Sequence, residues 1–141
     1  MFEDLLINYW AVLASAMLGV VIGAFWYSPL LFGKTWVKLS RLSEQELEGA
    51  KKGGGMIKSY LGTFLTCLVT SLALGFFLDR VGAYDVAEGL IVAGVLWLGF
   101  IVTIYFSAVL WERKPFSLFL INAGYYSVFL SEAAAIQMLF Q

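Results

Sequence analysis

Few side chains in this 141-residue chain could do chemistry, and Glu132 is the ionisable one lying well inside an apolar run. An ionisable group at membrane depth is by default a candidate for function. A carboxylate there can bind a proton or a cation, or it can be a structural group exposed at the interface. Its same-face neighbours Val128, Phe129, Ala135 and Ile136 are apolar. Its partner must therefore be another helix, water or a proton. Glu132 falls in the outer part of its run, where the cost is below the roughly 2.5–3.5 kcal/mol of a central charge. Asn8 and Tyr9, at the start of the first run, are the candidate partners. Asn122 can hydrogen-bond across helices to Ser or Tyr, the commoner role of a membrane asparagine. Trp97, midway along the third run, can line a cavity or pack. These five residues are the candidate polar path.

Other chemistry has little to stand on. The chain has no histidine and one cysteine, Cys67, which removes most haem, zinc and copper sites. Cys67 reads as a small packing residue. There is no paired carboxylate, no nucleophile–histidine pair and no basic patch for nucleic acid. Gly53, Gly54 and Gly55 lack the flanks of a phosphate loop. The expectation is a non-enzymatic protein without metal, cofactor or nucleic-acid partner.

The elements that position these residues follow from composition. With 61% apolar and 13% charged residues and mean hydropathy +0.85, the chain is far from a soluble domain, where about a quarter are charged. Charges divide it into four apolar runs, each long enough for a crossing. In lipid every backbone polar group must be satisfied within its segment, so the runs must be helices. The predicted fold is all-α: one integral membrane four-helix bundle with spans at about 7–32, 57–78, 87–111 and 116–139. A loop at 33–56 joins the first two. Pro29 can end or kink the first helix, and Pro115 suits the first turn of the last. Glu3 and Asp4 stand where a signal peptide would carry positive charge, so the first span is expected to be retained.

Orientation follows from Lys and Arg. The 33–56 loop and its edges carry Lys34, Lys38, Arg41, Lys51, Lys52 and Lys58, and the third connection carries Arg113 and Lys114. Arg80 falls on the opposite side. The positive-inside rule then puts both basic loops in the cytoplasm and both termini outside, with short outer loops. Within the long loop, Ser43 and Glu46 have capping-box spacing, and the short helix they start is expected to end at Gly53. It is read as a solvated topogenic loop, or as an arm resting on lipid headgroups. Trp26, Tyr27, Trp36, Tyr60 and Trp111 suit an aromatic belt at that interface.

Small residues recur every four positions in each run. Span one has Ala11, Ser15, Gly19 and Gly23. Span two has Ser59, Thr63, Cys67, Ser71 and Gly75, span three Gly99, Thr103 and Ser107, and span four Ala123, Ser127, Ser131 and Ala135. Such seams let helix backbones approach closely where lipid supplies no hydrophobic incentive to associate. A seam left facing outward would serve an oligomer. Trp26-Tyr27-Ser28 with Leu31-Phe32 and Lys34 also mirrors Tyr105-Phe106-Ser107 with Leu110-Trp111 and Arg113. This is either a parallel hairpin repeat or the generic pattern of an aromatic belt before a basic residue.

Four stretches carry a resemblance: INYWAV at 7–12, GAFWYSPLLFGKTW at 23–36, LWLGF at 96–100 and LFLINAGYY at 118–126. With these the chain resembles the bacterial membrane family called domain of unknown function 1761. The resemblance implies a stand-alone four-helix domain, in the bacterial inner (cytoplasmic) membrane, and brings no activity or ligand. Glu132 lies outside the pattern. The leading reading is a helix-packing protein, working as a homo-oligomer or as an accessory subunit of a membrane complex. The rival is a small transporter or channel with Glu132 in its path, and a lipid- or quinone-contacting enzyme subunit comes third.

Overall fold

The structure, a computed structural model, describes residues 3–141. Among the described residues the regular structure is helical. Its α-helices are α1 (Tyr9–Trp26), α2 (Gly33–Ser40), α3 (Glu44–Lys51), α4 (Gly55–Val81), α5 (Val86–Leu96), α6 (Thr103–Trp111) and α7 (Phe116–Leu139). A π-helical turn, Trp97–Val102, joins α5 to α6 in one continuous rod. Four helical segments among the described residues are long and apolar enough to cross a membrane: α1, α4, the α5–α6 rod and α7. They are called spans one to four below.

Local chemistry sets the boundaries. Asn8 caps α1, its side-chain oxygen accepting from Trp10 N and Ala11 N at 3.0 and 3.2 Å. Span one is shorter than the predicted 7–32 because α1 stops at Trp26. The residue before a proline is biased away from helical backbone, and Ser28 precedes Pro29. Tyr27 to Phe32 instead form a compact turn, in which Phe32 N donates to Trp26 O and Gly33 N to Ser28 O. Gly33 has to be glycine: a Cβ there would lie 2.3 Å from Tyr27 O. At roughly 1.5 Å per residue the 18 residues of α1 still reach nearly across a bilayer core of about 30 Å.

The long loop holds one helix more than expected. The Ser43–Glu46 capping box is present, with Glu46 N donating to Ser43 Oγ and Ser43 N to Glu46 Oε2. α2, which lacks a side-chain cap, has no such signature. Gly53 and Gly54 have φ of 63° and 78° and make the joint into α4. At its other end α4 closes on Gly82, φ 77°, with Gly82 N and Ala83 N both donating to Leu78 O. That glycine-terminated stop is followed at once by Asp85, which caps α5 by accepting from Glu88 N at 2.8 Å.

Packing is uneven, and α7 is its centre. It touches α1, α4 and the α5–α6 rod, whereas the rod leans mainly on α7. The shares buried are 44% for span four and 11% for span three. The span-one seam faces inward at Ala11, Ser15 and Gly19, and the span-two seam at Cys67, Ser71 and Gly75. A Cβ on Gly19 would sit 2.6 Å from the Phe129 ring, and one on Gly23 3.3 Å from Tyr125. Span three differs from the expectation. Gly99, Thr103 and Ser107 face away from α7, and outside its own helical turn no described atom comes within 4 Å of where a Cβ on Gly99 would be. The contact is made instead by Gly89 and Ala93, with a Cβ on Gly89 2.6 Å from Met138. In span four Ser131 is exposed and Ser127 half-buried. Ala123, Phe129, Leu130, Ala133 and Ala134 do the packing.

Overpacking a tight contact costs typically about 1–3 kcal/mol, and a substitution on an open face little. Gly19→Leu and Gly89→Leu are therefore expected to lower the melting temperature in mild detergent clearly, and Gly99→Leu hardly at all. Equal losses at Gly89 and Gly99 would contradict this placement of span three.

Candidate functional site

The polar side chains inside the four spans are mostly spent on helix carbonyls. Nearest the termini, Asn8 Nδ2 donates to Phe140 O at 2.6 Å, tying the start of span one to the end of span four. Close by, Asp79 accepts from Leu6 N and from its neighbour Arg80. One layer further in, Ser15 and Ser71 share a hydroxyl contact of 2.5 Å, and Ser71 Oγ also lies 3.2 Å from Val12 O. Gln137 Nε2 donates to both Ser71 O and Ser71 Oγ at 3.0 Å. All three side chains are buried, and this knot locks spans one, two and four together.

Towards the basic-loop end the same logic uses aromatic donors. Tyr125 OH donates to Gly19 O at 2.8 Å and lies 3.6 Å from Cys67 Sγ. Trp26 Nε1 donates to Ile121 O at 2.9 Å, and Trp97 Nε1 to Ala123 O at 2.7 Å. The two indoles thus hold α7 from opposite sides, since residues two apart on a helix point about 200° apart. Tyr27 OH donates to Asn122 Oδ1 at 2.9 Å.

Beside this clamp is a cleft of about 310 Å³. It exists because α4 and α5 are held together by the tight 82–85 turn, while α4 has no comparable contact with α6. One wall is a hydroxyl stripe along α4: Tyr60, Thr63, Thr66 and Thr70, with Cys67 among them. Opposite stand Tyr27 of the turn after α1, Tyr105 of α6, and Tyr125, Tyr126 and Phe129 of α7. Tyr60, Thr66 and Ala24 on its rim are exposed, so the space is open. From Tyr60 to Thr70 the stripe runs roughly 15 Å at 1.5 Å per residue, reaching the middle of α4. No charged residue lines it among the described residues.

The five candidate residues are not brought together. Asn8 caps α1 and holds Phe140, far from serving Glu132. Tyr9 is exposed, beside Trp10 on an apolar surface groove. Asn122 accepts from Tyr27, and Trp97 is a partly buried donor to α7. Glu132 is half-buried and both carboxylate oxygens are shielded from solvent, with no hydrogen-bond partner among the described residues. It is not on the cleft wall. Gln137, Tyr125 and Tyr126 were the residues sequence reasoning passed over. Gln137 carried a signal, a carboxamide within span four. The tyrosines entered only as part of the 118–126 stretch of the family resemblance, with no role of their own.

The stretches 23–36, 96–100 and 118–126 converge on α7 around the cleft. Trp26 meets Ile121, Tyr27 meets Asn122, Trp97 meets Ala123, and Gly124 admits Trp26 to 3.0 Å from its Cβ position. Residues 10–138 match the family described as "Protein of unknown function (DUF1761)". The chain belongs to the DUF1761 family. No curated protein and no solved structure matches it. The DUF1761 match covers all four spans and ends at Met138, the residue packed on Gly89.

A buried polar group without a partner costs about 1–3 kcal/mol. Replacing Glu132 by Leu is expected to raise the melting temperature in detergent, whereas Ser71→Ala, which removes the shared hydroxyl beneath Gln137, lowers it by a similar energy. A loss of stability in Glu132→Leu would mean that the carboxylate is held in the folded state.

Proposed function

We propose that this DUF1761 protein is a non-enzymatic four-helix bundle of the bacterial inner membrane that receives a small molecule in the cleft between spans two and three. Both termini face outward and the basic loops face the cytoplasm in this reading. It is supported by eight Lys and Arg residues gathered at one end, against Arg80 at the other, where Asp79 pairs with it. The observation that carries the function is the cleft itself. Eight hydroxyl-bearing side chains line an open space whose volume lies at the lower end of the roughly 300–1,000 Å³ usual for ligand sites. The cleft would open to the cytoplasmic side. The Ser15–Ser71–Gln137 knot and the buried Leu74 and Leu78 close the path outward. A transporter or carrier waiting open to the inside would have this shape. The absence of histidine and the single cysteine support a non-enzymatic role.

A second reading keeps the helix-packing role, with a second copy or another membrane protein as partner. Its supporting observation is span three, whose small-residue face at Gly94, Gly99 and Thr103 is left open by its own chain. Such a face suits close helix approach.

Two measurements test these readings. In a Cys67→Ser background, Thr70→Cys should react with a membrane-impermeant maleimide applied from the cytoplasmic side, and Thr66→Trp should slow that reaction about tenfold by plugging the rim. Thr70→Cys inert from both sides would sink the cleft reading. For the second, Gly99→Cys in the same background should form a cross-linked dimer in native membranes. A protein that stays monomeric there and in mild detergent would remove it.

A further inference from the structure

The cleft wall narrows what it can hold, because four of its eight hydroxyl protons are already committed. Thr63 Oγ1 donates to Ser59 O and Thr66 Oγ1 to Thr63 O, both at 2.8 Å. Tyr125 OH donates to Gly19 O and Tyr27 OH to Asn122 Oδ1. A hydroxyl has one proton and two lone pairs, so these four groups can offer an occupant only acceptor oxygens. Beside them the wall carries a chain of four tyrosine rings, with Phe129, Cys67 and Val20 among its other residues. Tyr27 and Tyr125 have ring centres 5.8 Å apart, Tyr125 and Tyr126 4.9 Å, and Tyr126 and Tyr105 5.9 Å. The face of each ring is the negative end of its quadrupole.

We infer that the cleft binds a small organic cation, held by ring faces and hydroxyl lone pairs. This rests on the cleft being a binding site and names the class of its occupant. An anion would meet lone pairs and negative ring faces, with no Lys or Arg on the wall among the described residues. A neutral polyol would find more acceptors than free donors, since four of the eight hydroxyl protons are spent on the protein's own oxygens. A small, strongly hydrated metal ion needs a closed shell of about six or more oxygens, which rings cannot supply. A weakly hydrated alkylammonium gives up little water, and its attraction to ring faces grows as the surroundings become less polar. Glu132 is off the wall and the recognition does not call on it.

The test uses the full chain in lipid nanodiscs, with choline, tetraethylammonium and phenyltrimethylammonium as probes and 3,3-dimethylbutan-1-ol as the neutral isostere of choline. At least one cation should bind at least about tenfold more tightly than the isostere. Tyr126→Leu should weaken that binding about tenfold and Tyr126→Phe, which keeps the ring, by less than about threefold. Thr66→Val, on the exposed rim, should weaken it as well and serves if Tyr126→Leu does not fold. Equal affinity for the isostere overturns the cation class and leaves the cleft standing as a site. Binding that is indifferent to both Tyr126→Leu and Thr66→Val places the cation elsewhere and overturns the assignment. No binding of any of the three cations also overturns it, and the labelling of Thr70→Cys then shows whether the cleft falls with it.

Discussion

The closest approach between spans one and four, at Gly19, is the constraint on which the rest depends. Phe129 occupies the space a side chain would fill, and Tyr125 reaches the Gly19 carbonyl directly above it. Lipid tails are as apolar as leucine, so helices gain nothing by leaving them unless packing is denser or a polar group finds a partner. Gly19 supplies both at one point. The Ser15–Ser71–Gln137 knot on one side and the two indoles on the other repeat the device up and down α7. Each adds a donor to a carbonyl that still has a spare lone pair while bonded within its own helix.

That arrangement also accounts for the cleft. The hairpin likeness would map span one onto span three and span two onto span four. It would therefore pair the close one–four contact with a two–three contact of the same kind. The first is a close contact along both helices, while α4 meets α5 only sparsely and α6 hardly at all. The cleft lies where that second contact is missing, lined by side chains that in span one's case would have been buried. An open seam and a filled one are thus alternative uses of the same geometry.

Much of the fold was legible in the residues. Charge spacing marked four runs, and Pro115 and the Ser43–Glu46 pair marked helix starts. The centrality of α7 was not legible, because all four runs are similarly apolar and similarly rich in small residues. Span three shows why. Gly99, Thr103 and Ser107 have the same spacing whether they face protein or lipid, and only the neighbour decides. Asn8 and Glu132 were joined by their shared depth, but depth does not give azimuth, and Asn8 found the end of its own cap and Phe140 instead. The cleft depends on two helices diverging, which no single segment encodes.

The π turn at Trp97–Val102 has a consequence for the register of span three. In a regular helix eight residues advance the azimuth by about 80° beyond full turns, which would point Tyr105 well to one side of Trp97. One extra residue taken up in a wide turn removes roughly 100° of that advance and brings the two back to nearly one meridian. Gly89, Ala93 and Trp97 can then face α7 while Tyr105, two turns on, still faces the cleft. The rod therefore works as two half-helices phased by a single residue. Deleting one residue there would turn the wide turn into regular helix and keep the tyrosine on the same meridian, whereas regularising the turn at constant length would rotate it by roughly 100° out of the wall.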